Sequence, residues 1–505
     1  MSALPNETWM QIFEWALQDD HLQDTTLPDA TSTYSWFQPI YQSWTLRSPN
    51  ESLLLSLQQR YKLLKAISST SRVWRQLISE FMFTIVCFID VSSLRQFFAT
   101  IKNEPFIAKW IRRIYIMRYL RTNEEDFAET VTIFSSVIKY CKDLEVLFVD
   151  LPLMNSFSGM ANALCMYRPR NLQTLYLHTD LCKLRDVIVV LDTFSSSLVH
   201  VHLEIRGSGI EEVKLGMMSE IVITFPRLRQ LLLYGHISDL VEQASSWELP
   251  SLEMLTLDSL QFNEGIPDIE ELLRNYGSRL THLDIHSTCL GTLPESLVDF
   301  CPQLQALSFN ADWRFPQNGT EIARLFRVPH PNITFIGLHG LRHAFGVGWV
   351  PGISPQMQTI SQFFNDKNMR ALNKTNFPKL SRIRILDKVL LQDLEAANGP
   401  SKACYPRYER WWDHCIGQGI KLEDCTGSDL GTLPDADQGE EGSEDSLEYE
   451  EELAELPAEP AVGPLAFIRE LREELQTAIA NLEDDIIPFT GKHSIYTAPL
   501  YSPSI

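Results

Sequence analysis

The sequence is poor in the features that mark an exported, membrane-spanning or catalytic protein. Its nine cysteines are scattered, odd in number and form no C-x-x-C pair, so neither a disulfide framework nor a zinc ribbon is indicated. The start lacks a basic leader ahead of an apolar stretch. We therefore expect reduced thiols and a cytoplasmic or nuclear location. No apolar run is long enough to span a bilayer, and FMFTIVCFIDV (81–91) reads as a buried strand, so no membrane partner is expected. A nucleophile–base set, a P-loop and H-E-x-x-H are all missing. Hence no catalytic residue is assigned, and neither a cofactor nor a metal is expected.

Basic charge is scarce where acid is dense. Between Glu423 and Glu459 there are fifteen Asp/Glu and no Lys or Arg, leaving only −7 of the net −22 for the rest. Nucleic acid is an unlikely partner for such a chain, because phosphate neutralisation needs Lys and Arg. The acidic, Gly/Ser/Pro-bearing stretch 426–463 is expected to be a disordered linker. Beyond it, Leu465, Ile468, Leu471, Leu475, Ile479 and Leu482 form one stripe, which predicts an amphipathic helix over 464–487 and a tail over 488–505.

What the chain does have is a repeat. L-x-x-L-x-L recurs as LEVLFV (144–149), LQTLYL (172–177), LVHVHL (198–203), LRQLLL (228–233) and LEMLTL (252–257). It continues through LTHLDI (280–285), LQALSF (304–309), ITFIGL (333–338) and LSRIRI (380–385), with IRRIYI (111–116) as an earlier candidate. From Leu144 to Ile333 the steps are 28, 26, 30, 24, 28, 24 and 29 residues, the spacing of a leucine-rich-repeat solenoid. In each unit two apolar positions alternate inward on a short strand, and the remainder can hold a covering helix. The glycines of 339–355 (Gly346, Gly348, Gly352) only approximate a dinucleotide fingerprint, so this stretch reads as a loop insertion. Trp411 and Trp412 on a helix, then Ile420 and Leu422 on a last strand, are expected to close the array near residue 425.

The alternate strand positions predict a binding face. Its candidates are Tyr176, His178, His202, Glu204, Tyr234, Asp258, His282, Asp284 and His286. His282, Asp284 and His286 share one face, but a spacing of two on a strand holds them too far apart for one ion.

Ahead of the repeats, Trp9, Ile12, Phe13 and Ala16 have helical spacing, and Pro5 suits a helix start. Leu54, Leu57, Tyr61 and Leu64 predict a second helix; Val73, Trp74, Leu77 and Ile78 predict a third. LPNETWMQIFEWAL followed by LLKAISSTSRVWRQLISEFMF resembles an F-box, and with the repeats it is similar to the F-box/leucine-rich-repeat family. The resemblance implies an α/β protein: an F-box over 1–85, interrupted by an insertion at 18–52, and a solenoid over 86–425. It also implies a non-catalytic subunit of a Skp–cullin–F-box ubiquitin ligase, which docks on the Skp adaptor and holds an unidentified protein substrate. The residues matching the family's motif are Leu4, Pro5, Ile12, Phe13, Leu64, Ile67, Arg72 and Trp74, and helix-in-groove docking adds Trp9. Thr70-Ser71 replaces the family's Val-Cys, and the insertion, with Tyr34, Trp36, Phe37, Tyr41 and Trp44, is too aromatic for a plain linker.

Overall fold

A computed structural model describes residues 5–19, 22, 24–38, 44–117, 124–151, 157–207, 221–259, 269–286, 297–311, 328–345, 362–363, 365–366, 369–395, 402 and 404–432. Of the loop insertion expected at 339–355, the first residues are the end of a strand and the helical turn Arg342–Phe345, and 346–355 lie outside the described residues, as do the acidic stretch beyond 432, the helix at 464–487 and the tail at 488–505.

The L-x-x-L-x-L segments become strands of one parallel sheet. After a hairpin of β1 (Ser35–Phe37) and β2 (Thr45–Arg47), the sheet is built from β3 (Ile85–Phe88), β4 (Arg113–Ile116), β5 (Val146–Val149) and β6 (Thr174–Asp180). It continues through β7 (His200–Arg206), β8 (Gln230–Gly235), β9 (Met254–Ser259), β10 (His282–His286), β11 (Ala306–Asn310), β12 (Phe335–His339), β13 (Arg382–Ile385) and β14 (Lys421–Glu423). Every strand pairs with its neighbours in sequence, so the chain is mixed α/β with a 12-stranded parallel sheet that never reverses.

One file of main-chain bonds sets the register. The N–H of the residue before each strand donates to the same position one coil earlier: Gln173 to Glu145, Val199 to Gln173, Arg229 to Val199, Glu253 to Arg229, Thr281 to Glu253. The file continues to Gln305, Thr334 and Ser381; at the last strand the donor shifts by one, Lys421 N giving to Ser381 O although its register partner is Arg382. Because register repeats, the alternate apolar residues all face one side, where Leu175, Leu203, Leu233, Leu257 and Ile285 pack with the helices in a single core. The intervening helices are short, and some are capped locally, as Val91–Asn103 and Lys388–Leu394 are. In Val91–Asn103 the Asp90 carboxylate accepts from Ser93 N at 2.7 Å, and Leu94, Phe97 and Ile101 turn inward.

Both sheet edges are closed. The outward Ile85 carbonyl accepts from the Tyr61 hydroxyl (2.8 Å), and Cys87 N–H donates to the same oxygen (3.2 Å), so one phenol stands in for a missing strand. At the other edge Leu430 N donates to Leu422 O, and Leu430 is buried. Residues 426–432 thus fold against β14, and the acidic linker does not begin at 426 as the composition predicts. Trp411 is buried on helix Tyr405–Gly417, with Trp412 packed beside it, and so closes this end.

At the front, helices Asn6–Ala16, Pro49–Thr70 and Arg72–Thr84 pack together. Pro5 sits just before the first helix, not at its first position. The second helix starts earlier than its apolar spacing predicts, because Ser48 and Glu51 form a reciprocal capping box. FMFTIVCFIDV divides: helix to Thr84, strand from Ile85.

Tyr61→Phe deletes the phenol that satisfies Ile85 O and Cys87 N. Urea unfolding should show a loss of about 1–3 kcal/mol. An unchanged midpoint would mean that water serves this edge equally well.

Candidate functional site

The candidate site is the sheet face turned away from the helices. Equal register lines up equivalent residues in rows. In one row the rings of Tyr115, Phe148, Tyr176 and His202 are register partners across β4–β7, with centroids 5.7, 4.0 and 3.9 Å apart; the ring of Tyr234, two residues beyond the row's next member Leu232, leans back over His202 at 4.6 Å. A more polar group lies on β9–β12. His286 Nδ1 meets Asp258 Oδ2 at 3.1 Å, His339 Nε2 meets Asp284 Oδ1 at 2.9 Å, and the two imidazoles stack at 4.4 Å. Burial opposes protonation of His286, but the Asp258 hydrogen bond and the charges of Asp258, Asp284 and Asp387 raise its pKa.

The face is covered, which corrects the expectation of an open surface. Tyr176 and His178 are buried (3% and 0% exposed), as are His202 and Asp284; Glu204, Tyr234, Asp258, His282 and His286 are partly buried. The cover is the insertion that precedes helix Pro49–Thr70. Arg113 on β4 donates to Leu22 O, and Thr174 on β6 donates to Thr25 O at 2.9 Å. On β8 the Gln230 side-chain amide grips Leu27 twice: Leu27 N donates to Oε1 at 2.9 Å, and Nε2 donates to Leu27 O at 2.7 Å. Arg384 on β13 donates to Thr31 O at 3.0 Å, Tyr34 N donates to Cys425 O, and Trp36 Nε1 donates to Asp424 Oδ2. Residues 22–36 therefore cross the sheet as a strap from β4 to the turn after β14. Leu22 and Leu27 sink among Leu57, Tyr115, Phe148 and Tyr176 as a second small core.

Polar groups under the strap are satisfied in a connected way. Arg384 also meets Glu423 at 2.9 Å, and both side chains are almost wholly buried. Thr174 has one hydroxyl proton and gives it to Thr25 O, so its 3.1 Å contact with His200 Nδ1 requires the proton on that nitrogen. Burial pushes the His200 pKa down to about 4, against the pull of Asp24. Tyr34 is pushed up to about 12 by burial and by the charges of Cys425, Glu51 and Asp284.

Asp150, His178 and Glu204, on three adjacent coils, bring donor atoms within 4.8 Å of one another. Glu204 Oε1 is engaged there by Arg206 at 3.1 Å and faces His178 Nε2 at 3.5 Å, an ion-pair arrangement. His282, Asp284 and His286 do not converge, since they turn to Thr281, His339 and Asp258 respectively. Burial raises the Cys87, Cys141, Cys301 and Cys415 thiols to about 12, so they pack as apolar groups.

The expected adaptor-binding residues divide. Leu4 lies outside the described residues. Phe13, Leu64 and Ile67 are buried in the main core, and Trp74 is enclosed by Trp9 (4.5 Å) and Phe13 (5.2 Å). Trp9 and Ile12 are half-buried; Pro5 and Arg72 are exposed. Val73, which its spacing places inward, is 52% exposed, and the outermost apolar residue of the first helix is Trp15, at 71%. Sequence reasoning missed Arg113, Arg384, Leu22 and Leu27. The only signal for the strap was the unusual aromatic content of the insertion.

Comparison with protein families and with curated proteins gives no match for this chain.

His200 supplies a pH test. Its folded pKa lies below the ordinary histidine value, so the unfolded chain binds more protons and stability falls as pH drops from about 6.5 towards 4. Urea unfolding at pH 7 and pH 4.5 should show His200→Gln losing about 2–3 kcal/mol less than the wild type over that interval. Equal losses would contradict the buried neutral imidazole.

Proposed function

We propose that the chain is a non-catalytic substrate-recognition subunit of a Skp–cullin–F-box ubiquitin ligase. In this reading helices 6–16, 49–70 and 72–84 are the F-box, and the L-x-x-L-x-L coils are a leucine-rich-repeat solenoid. The observation that carries it is at the front of the molecule. The three helices satisfy their own core through Phe13, Leu64 and Ile78, yet leave Trp15, Val73 and Leu63 exposed at 71, 52 and 36%. Large apolar groups left outside a completed core are what an adaptor groove would cover. The mechanism is positional. The helices dock on the Skp adaptor, the coils hold a protein, and the conjugating enzyme on the cullin meets a tethered lysine at raised effective concentration.

A second reading is an interaction scaffold outside the ligase. It is favoured by Thr70-Ser71, where the family carries Val-Cys. Ser71 here accepts from Trp74 N at 3.1 Å as an ordinary helix cap, so this position serves folding.

Co-expression of the full chain with a Skp adaptor separates the two. Trp15→Glu combined with Val73→Glu alters only exposed side chains, so it should leave the melting temperature within a few degrees and lower adaptor recovery at least tenfold. Undiminished recovery would sink the ligase reading. Phe13→Asp is a poor test, because burying a carboxylate against Trp74 would unfold the helices themselves.

A further inference from the structure

We infer that the helix-free face is a reader of polypeptide main chain, and that the strap, residue 22 and residues 24–34, is a resident occupant which a partner segment of the same chemistry displaces. That segment carries two leucine-sized anchors five residues apart. The inference rests on the reading of the coils as the substrate-holding part, and it names the class of substrate.

The way the strap is held argues for this. Arg113, Thr174, Gln230 and Arg384, from four strands spread across the sheet, each donate to a strap carbonyl: those of Leu22, Thr25, Leu27 and Thr31. Thr25 and Leu27 lie in a stretch with neither helix nor turn, whereas Leu22 is bonded back to Asp19 and Thr31 sits in the turn that starts at Asp29; all four acceptors are main-chain carbonyls, which carry no side-chain identity. Gln230 reads a whole peptide unit edge, taking the Leu27 N–H as well as its carbonyl. Side-chain packing is concentrated at Leu22 (2% exposed) and Leu27 (5%), with Tyr34 partly buried against the main core at the far end. Addition of a strand to a sheet edge is not available to a partner, because both edges are already capped.

The strap is tethered at both ends, by helix 6–16 and by the hairpin, so it competes at an effective concentration on the order of millimolar. A free segment of equal intrinsic affinity is then strongly disfavoured until the strap is loosened.

The test uses the full-length chain and a fluorescein-labelled peptide, DHLQDTTLPDATSTYS, which copies residues 20–35. Anisotropy titration should show the peptide binding Leu27→Ser at least tenfold more tightly than wild type. Adding Gln230→Leu should remove at least tenfold of that affinity, and a peptide with serine at both leucines should not bind. Absence of binding to a folded Leu27→Ser chain, or binding indifferent to Gln230→Leu, overturns the inference. Hydrogen exchange on the wild type covers the case in which Leu27→Ser does not fold. The Leu27 amide should exchange at least a hundredfold faster than those of Leu231 and Leu233, and equal rates overturn displacement. Adaptor capture is read separately: peptide binding without adaptor recovery removes the ligase reading and leaves this one standing.

Discussion

The structure depends on one file of main-chain hydrogen bonds that joins the same position in successive coils, from Arg112 accepting Glu145 N to Thr334 accepting Ser381 N. Each bond is modest by itself, but together they forbid slippage. A shift of one residue in any strand would carry Tyr176 or Asp284 into the helical core and expose the leucines. The apolar alternation and the backbone file therefore enforce the same register, and unlike side chains from distant parts of the sequence become neighbours. The aromatic row on β4–β7 is a product of stacking alone, since Tyr115 and His202 share it across four strands.

A face assembled in this way carries polar groups that are costly to bury without partners. Gln230 shows the problem and its solution. It is only 2% exposed, and its amide is completed on both sides by the main chain of Leu27. The Arg384–Glu423 pair is similar: two desolvated charges joined by two hydrogen bonds, with a third guanidinium donor given to Thr31 O. The strap and the polar face are thus mutually required. Removing one without replacing it leaves buried donors and carbonyls exposed to competition from water.

Much of the frame was legible. The leucine spacing located β5 to β13, and the tryptophan pair of 411–412 located the closing helix, because each coil must bury its apolar face against the next. The first strand was half hidden: a helix passes into it between Thr84 and Ile85 with no glycine or proline to mark the change. The candidate site was legible in part. Alternation says which side of a sheet a residue occupies, and Tyr176, His202 and Asp284 do occupy the helix-free side. It says nothing about what lies above them. The cover comes from a segment 203 residues away from Gln230 and 353 from Arg384, held mostly through carbonyls that carry no side-chain signature. The Ser48–Glu51 capping box, by contrast, is a local signal that fixes where the insertion ends.

The front helices and the sheet face meet in helix Pro49–Thr70. Its N-terminal half sends Leu57 into the small core with Leu22, Leu27 and Tyr176, and its C-terminal half sends Leu64 and Ile67 into the large core with Phe13 and Ile78. Tyr61, between the two, holds the edge strand. An unbroken helix transmits displacement along its axis, and here its two ends serve different cores. The strap enters from helix 6–16 and returns through β1 and β2 to this same helix, so its path is anchored at both ends on the three-helix unit. Leu22 and Leu27 share a cluster with Leu57 and not with Leu64 or Ile67, so the strap's own apolar packing is confined to the N-terminal half of the helix. The substrate-facing and adaptor-facing halves of the proposed receptor are therefore joined by one rigid element, while their hydrophobic contacts remain separate.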